Sequence, residues 1–211
     1  KKGCKKCKYK NITPKHIFSR SAKNFELKQK TFTSLDNMTL VTPSKWLKEQ
    51  MEDSYLSKYP IEVIHNSIDT TKFGFHFNDL KVKHHLEGKK VALAVSKKYS
   101  EQNGLYEYEK LAQVLPEGWK LVVVGLKNNQ RGNFTKDTLC LPVINSVEEL
   151  NNWYSTADCL VNLSLEDAFP AVNIEAQSNG LPIIAYRTGG MVEQVEGKGI
   201  LVDKYDIQGV A

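Results

Sequence analysis

Six short apolar runs in the second half of the chain constrain its fold more than any other feature of the sequence. Each run places hydrophobic side chains at consecutive positions, so both faces of the corresponding strand would be apolar. Strands of that kind are typical of a parallel sheet that helices cover on both sides. Segments with helical character separate several of the runs, and this alternation predicts an α/β, Rossmann-like domain. The runs span residues 91–95, 121–124, 139–141, 159–163, 183–186 and 200–202, and the helical segments span 105–115, 147–156 and 172–178.

The first third of the chain follows a different pattern. A strand is predicted at 38–42, a helix begins after Ser44, whose side chain is a favourable N-cap, and a second strand is predicted at 61–64. Residues 74–90 are polar and read as a segment that joins two domains. We therefore expect two parts, residues 1–75 and residues 76–211. The second part ends in what reads as the start of a further helix, so we expect it to be truncated at its C-terminus.

The composition is that of an ordinary globular protein. The 211 residues are 41% hydrophobic and 25% charged, which excludes collagen-like and fully disordered chains. No apolar run approaches the length needed to cross a bilayer, and the first residues do not resemble a signal peptide. We therefore expect a cytoplasmic protein.

The first thirty residues are strongly basic. They contain 11 Lys and Arg residues and one acidic residue, Glu26, whereas the rest of the chain is acidic overall. A terminal block of this kind is most often simply solvated, but it also suits an anionic membrane surface. Peripheral contact with the inner face of a membrane therefore stays open. No nucleic-acid partner is expected, because no nucleic-acid-binding module accompanies the block.

Cys4 and Cys7 form a close pair that could supply half of a tetrahedral zinc site. A structural zinc site needs two more ligands, and no second pair with metal-ligand spacing follows in the chain. We expect no metal within these residues, with ligands upstream of Lys1 as the alternative.

Loops that follow the predicted strands are the expected place for a ligand, because ligands of open α/β sheets bind beyond the carboxyl ends of the strands. Between them, the loops at 96–104, 125–127, 164–170 and 187–190 carry lysine, carboxylate and glycine residues. Neither a dinucleotide-binding glycine motif nor a P-loop occurs in the chain, so phosphate binding by either device is not predicted.

Two acids stand out near the fourth of the six predicted strands. Asp167 follows the strand, and Glu175 lies eight residues later in the next predicted helix. A carboxylate accepts hydrogen bonds from adjacent hydroxyl groups, so the pair suits a polyhydroxy ligand. The purely structural alternatives are an exposed helix carboxylate for Glu175 and a helix N-cap for Asp167. Glu166 is the alternative first acid.

The residues around these acids carry a family resemblance. Asp167 and Glu175 are followed by Ala176, by Gly180-x-Pro182-Ile183-Ile184 and by Thr188-Gly189-Gly190. In this pattern the chain resembles the retaining family 4 (group 1) glycosyltransferases of the GT-B fold. Its Glu-Asp-x-Phe-Pro form is similar to enzymes that build bacterial capsular polysaccharide, exopolysaccharide or lipopolysaccharide O-antigen chains.

The resemblance implies different roles for the two parts of the chain. Residues 76–211 would be the C-terminal, donor-binding domain, and residues 1–75 would be the tail of the N-terminal, acceptor-side domain with the interdomain hinge. The implied reaction transfers a sugar from a nucleotide-diphosphate sugar to a growing glycan or lipid-linked acceptor, with retention of configuration and with neither metal nor cofactor. We expect the isolated chain to be inactive, because groups that approach the acceptor would come mostly from upstream.

The resemblance also implies roles for individual residues. Glu175 would hold the ribose of the donor, Asp167 would contact the donor sugar, and Lys97 would neutralise the leaving diphosphate. The other donor-binding residues implied are Glu166, Lys98, Phe169, Pro170, Ala171, Gly189 and Gly190.

The loop at 96–104 departs from the family pattern, which usually places an Arg and a Lys there. Lys97 or Lys98 stands in for the Arg, but Asn103 occupies the place of the Lys. Fewer cations mean weaker stabilisation of the leaving group. Either Lys97, Lys98 or Lys127 compensates, or the chain is a non-catalytic, degenerate nucleotide-sugar-binding module. A nucleotide-sugar epimerase of GT-B shape is a further alternative, because it would share the sheet and the donor pocket.

Overall fold

The computed structural model describes residues 20–211 and divides the chain into two compact units, which join between His65 and Asn66. The described part of the first unit is a β-α-β arrangement preceded by a helix. Its two strands are parallel, with Leu40 opposite Ile61. The elements are α1 (Ser21–Phe32), β1 (Leu40–Thr42), α2 (Lys45–Glu52) and β2 (Ile61–Val63).

The start of α2 confirms the predicted cap, because the Ser44 side chain accepts a hydrogen bond from the Leu47 amide at 3.1 Å. Helix α1 was not predicted. None of its residues is buried, so its sequence lacks a clear apolar stripe of the kind that reveals a helix.

The second unit alternates strands and helices along its whole length. Its elements are α3 (Leu80–Lys83), β3 (Lys90–Val95), α4 (Leu105–Val114), β4 (Trp119–Val124), a 3-10 helix (Asn128–Asn133), β5 (Leu139–Leu141), α5 (Val147–Thr156), β6 (Cys159–Asn162), α6 (Ala171–Ser178), β7 (Ile183–Tyr186), α7 (Met191–Val195), β8 (Ile200–Val202) and α8 (Ile207–Val210).

All six predicted strands are present and form one parallel sheet in the order β5-β4-β3-β6-β7-β8. The central strands are buried on both faces: Val91, Ala92, Leu93 and Ala94 of β3 are all within 1% of complete burial. Helices flank the sheet, with α5 in contact with α3 and α6, and α4 in contact with α8. The α/β, Rossmann-like class expected from the apolar runs is confirmed.

The strand order creates one crevice in this sheet. From β3 the chain moves outward to β4 and β5, and it then returns to place β6 on the other side of β3. The loops that leave the carboxyl ends of β3 and β6 therefore run in opposite directions. Such a switch point is the usual place for a ligand in an open parallel sheet.

The stretch 74–90, read as a joining segment from its polarity, is instead part of the second unit. It contains α3, and Leu80 and Leu86 are buried in the core. The Gly74 carbonyl accepts a hydrogen bond from the Asn151 side chain at 2.9 Å. Polarity was misleading here because only a few of these residues face inward. The assignment of residues 1–75 to an acceptor-side domain stays a prediction.

Within residues 20–211, no helix is both long and apolar enough to cross a membrane.

Candidate donor-binding site

A cleft of about 370 Å³ lies at the switch point, beyond the carboxyl ends of β3 and β6. Five residues predicted for donor binding line it: Lys97, Asp167, Pro170, Ala171 and Glu175. Side chains from the segment between β5 and α5 close another side of the cleft. That segment was not predicted, and its lining residues are Val143, Ile144 and, in α5 itself, Leu150.

Glu175 is held by the neighbouring helix. The Tyr154 hydroxyl of α5 donates a hydrogen bond to Oε2 of Glu175 at 2.5 Å. Burial raises the pKa of Glu175 above its ordinary value, while the Tyr154 hydrogen bond and the positive charge of Lys97 act in the opposite direction. A carboxylate has about four acceptor positions on its two oxygens. The bond to Tyr154 therefore orients Glu175 and leaves it able to accept from a diol.

Asp167 is held by its own loop. Its Oδ1 accepts a hydrogen bond from the Phe169 amide at 3.1 Å, a tight local turn that aims the carboxylate. Burial raises the pKa of Asp167, and the amides of Phe169 and Ala168 partly offset this effect. Asp167 does not cap α6, whose N-cap position is Pro170. Asp167 therefore does not act as a helix N-cap, which was the structural alternative for this residue.

Lys97 is the cation that the fold brings to the cleft. Its charge acts on Glu175, so the two side chains share one electrostatic environment. Lys98 does not line the cleft, and its backbone closes a turn with the Ser96 hydroxyl. Asn103 does line it, with Oδ1 accepting a hydrogen bond from the Ser100 hydroxyl at 2.7 Å. Of the described residues that line this cleft, Lys97 alone is basic.

Gly189 and Gly190 lie in the loop after β7, which packs against the backbone of Asp167. The Gly190 amide, expected to face the donor, donates instead to the Asp167 carbonyl at 2.9 Å. A Cβ atom at Gly189 would lie only 2.1 Å from that same carbonyl oxygen. Gly189 is needed because the loop after β7 passes directly against the backbone of Asp167. Neither glycine lines the cleft, and the same is true of Glu166 and Phe169.

Three buried amide side chains at the cleft, one of which (Asn162) also lines it, were missed by sequence reasoning. Asn162, Asn173 and Gln194 come from β6, α6 and α7, and each is at most 4% exposed. A signal was available for Asn162, since it is a polar residue at the end of an apolar run. Nothing in the local sequence connects Asn162 to Gln194, which lies three elements further along the chain.

Metal ligation finds no support among residues 20–211, where no group of three or more His, Cys, Asp or Glu side chains is arranged to hold an ion. Cys4 and Cys7 lie outside the described residues. The expectation of a site without metal stays a prediction.

The sequence of this chain matches a known protein family. The family model described as glycosyl transferases group 1 matches residues 89–211, which is more than half of the chain. The D-inositol 3-phosphate glycosyltransferase of Corynebacterium jeikeium (strain K411) is 43% identical over 61 residues, which are 28% of this chain and 15% of that protein.

Solved structures show the same fold. The sucrose-phosphate synthase of Thermosynechococcus elongatus matches with a TM-score of 0.76 and 19% identity, over 96% of this chain and 53% of that one. HepE of Anabaena, solved in complex with UDP-glucose, matches with a TM-score of 0.72 and 18% identity, over 90% of this chain and 56% of that one. The chain thus spans about half the length of these solved relatives. Its GT-B glycosyltransferase fold and the family match together establish that this protein belongs to the group 1 glycosyl transferases.

Proposed function

We propose that the switch-point cleft binds a nucleotide-diphosphate sugar, and that the protein transfers this sugar to a growing glycan with retention of configuration. One observation carries the proposal: two half-buried carboxylates, Asp167 and Glu175, and the cation Lys97 line one cleft at the switch point of the sheet. Carboxylates suit the hydroxyl groups of ribose and sugar, and a cation suits a diphosphate. HepE, a relative in fold, was solved with UDP-glucose, which supports this class of donor.

In this proposal each side chain has a separate task. Glu175, oriented by Tyr154, accepts from the ribose diol. Asp167 accepts from hydroxyl groups of the donor sugar. Lys97 offsets the charge that develops on the diphosphate as it leaves, which is where preorganised charge contributes most to catalysis. In this proposal the transfer reaction uses no metal ion. The acceptor is a glycan or lipid-linked glycan of a bacterial surface polysaccharide.

Calorimetric titration of the chain with UDP, GDP and their sugars tests the donor site. We expect wild type to bind one of these series, and Glu175→Ala to bind it about 10 to 100 times more weakly, because hydrogen bonds to a charged group contribute roughly 1.5–3 kcal/mol. Glu166→Ala is the matched control, since Glu166 is an exposed glutamate, next to Asp167 in the loop that precedes α6, and does not line the cleft. Equal affinity in wild type and Glu175→Ala would contradict the proposal.

A second candidate is a binding module without catalysis, and Asn103 favours it. Asn103 is neutral and lines the cleft at a place where the family usually has a lysine, so leaving-group stabilisation is weaker. Turnover assays on the full-length protein distinguish the two candidates. Donor binding without any transfer would favour the module, and transfer that increases in Asn103→Lys would favour the enzyme.

A further inference from the structure

Three buried amide side chains connect the elements that carry the cleft. Asn162 ends β6, Asn173 lies in α6 two residues before Glu175, and Gln194 lies in α7. Their exposed fractions are 4%, 0% and 3%. A buried amide that lacks hydrogen-bond partners costs free energy, so a cluster of three needs internal partners to be tolerated.

The three amides hydrogen-bond head to tail. The Nδ2 group of Asn162 donates to Oδ1 of Asn173 at 2.9 Å. The Nδ2 group of Asn173 donates to Oε1 of Gln194 at 3.0 Å. Because each amide has one donor end and one acceptor end, these bonds give the row a single direction.

Both ends of this row hydrogen-bond to the same loop, which connects β6 to α6. At one end, Oδ1 of Asn162 accepts a hydrogen bond from the Ser164 amide at 3.2 Å. At the other end, the Nε2 group of Gln194 donates to the Pro170 carbonyl at 3.2 Å. The loop between these two points contains Asp167. The row therefore links the two ends of the Asp167 loop through the protein interior.

The segment before α7 reinforces the same loop. The Thr188 hydroxyl donates to the Leu165 carbonyl at 2.9 Å, and the Gly190 amide donates to the Asp167 carbonyl at 2.9 Å. The segment and the helix that follow β7 thus contact the Asp167 loop at several points. Fully satisfied buried networks of this kind rigidify the backbone to which they bond.

We propose that Asn162, Asn173 and Gln194 form an amide relay that positions the Asp167 loop for the donor. Asn162 also lines the cleft, whereas Asn173 and Gln194 do not; the relay as a whole fixes the loop on which Asp167 approaches the donor. This inference rests on the proposed function of the cleft.

Two variants interrupt the relay from different helices: Asn173→Leu and Gln194→Met. Both remove the amide and keep a side chain of similar size. The matched control is Asn151→Leu, which also removes a buried amide; the Asn151 side chain bonds to Asn179, His76 and the Gly74 backbone, none of which belongs to the Asp167 loop. Thermal unfolding of all three variants verifies that they fold.

Hydrogen exchange and donor titration are then measured on the same samples. We expect both relay variants to lose exchange protection at the Ser164 amide and to bind the donor about tenfold more weakly, whereas Asn151→Leu retains the affinity of wild type. Wild-type protection and affinity in both relay variants would overturn the proposal. So would an equal loss of affinity in the control.

Asn173→Asp adds a readout that simple destabilisation would not reproduce. As a carboxylate, Asp at this position has no hydrogen to donate to Gln194; as a carboxylic acid it has one, so protonation restores the direction of the relay. We expect its donor affinity, relative to wild type at the same pH, to recover as the pH falls. Wild type is titrated at each pH because Asp167 and Glu175 also change charge. A constant ratio across the pH range would count against a directional relay.

The proposed function and the relay fail in different ways. If wild type binds no nucleotide-diphosphate sugar, the proposed function fails, and exchange protection alone decides whether the relay orders the loop. If wild type binds, Glu175→Ala binds more weakly as expected and the relay variants bind as wild type does, the relay alone is refuted.

Discussion

At the scale of single residues, the site depends on how its two carboxylates are kept charged. Burial raises the pKa of both Asp167 and Glu175, and this effect opposes the ionised forms that accept hydrogen bonds from a sugar. Local donors offset the effect: backbone amides for Asp167, and the Tyr154 hydroxyl for Glu175. Removal of such a hydrogen-bond donor is therefore expected to change the pH range over which the carboxylate is charged.

Tyr154→Phe tests this point for Glu175. The Tyr154 hydroxyl stabilises the charged carboxylate, so its removal raises the pKa of Glu175 further above the ordinary value. In the proposed function, donor binding needs the charged form of Glu175, so binding is expected to be lost as the pH falls through that pKa. In Tyr154→Phe we expect the loss to begin at a higher pH than in wild type, and donor affinity at neutral pH to fall severalfold, as about one hydrogen bond predicts.

Tyr99→Phe is the control for this prediction. Tyr99 is also buried, and its hydroxyl has no hydrogen-bond partner among the described residues, so the same chemical change removes no hydrogen bond there. The measurement is donor affinity by calorimetry across the acidic pH range for wild type and both variants. A profile in Tyr154→Phe that coincides with that of wild type would show that the hydroxyl does not tune Glu175.

At the scale of secondary-structure elements, close backbone contacts hold the loops around the cleft. Gly125 directly follows β4 with a φ of +108°, and a Cβ atom there would lie 1.6 Å from the Ser96 carbonyl oxygen. Ser96 lines the cleft and directly precedes Lys97. The glycine is therefore required both by its backbone conformation and by the space that the neighbouring loop occupies.

Gly125→Ala and Gly118→Ala separate these two requirements. Gly118 has a φ of +86°, and no atom lies within 4 Å of the position that a Cβ would take, so alanine there meets only backbone strain of about 1–2 kcal/mol. At Gly125 the steric clash adds to that strain, and we expect a total loss of about 3 kcal/mol or more. Urea unfolding measures both losses. Equal losses would mean that the loop after β3 yields easily, and donor affinity in Gly125→Ala would then stay unchanged.

At the scale of the whole molecule, the cleft belongs to one compact unit. Every residue that lines it lies within residues 66–211, and that unit has its own continuous core. Residues 66–211 produced alone should therefore fold cooperatively and bind the donor with the affinity of the full chain, within about twofold. Thermal unfolding followed by titration is the measurement. A folded unit that has lost donor affinity would place part of the site in residues 1–65.

The family and the sheet were predictable from the sequence because their signals are local. Consecutive apolar residues mark each strand wherever it lies in the sheet, and the spacing from Asp167 to Gly190 is read directly along the chain. The predicted strands β5, β7 and β8 agree with the structure to the residue. Helix α1 was missed because it has neither a buried residue nor a side-chain N-cap of the kind that marked α2, and α3 and α7 were missed because each is very short.

The details of the site depend on packing between residues that are distant in sequence. No local pattern distinguishes Lys97, which lines the cleft, from Lys98, whose backbone closes a turn instead. The bond from Gly190 to Asp167 and the bond from Asn173 to Gln194 exist only because β6 and β7 are neighbours in the sheet. Hydrophobic periodicity specifies which residues are buried, but hydrogen-bond partners are set by the three-dimensional arrangement of the elements. The fold class could therefore be predicted from the sequence, whereas the hydrogen bonds that hold the Asp167 loop could be identified only in the tertiary structure.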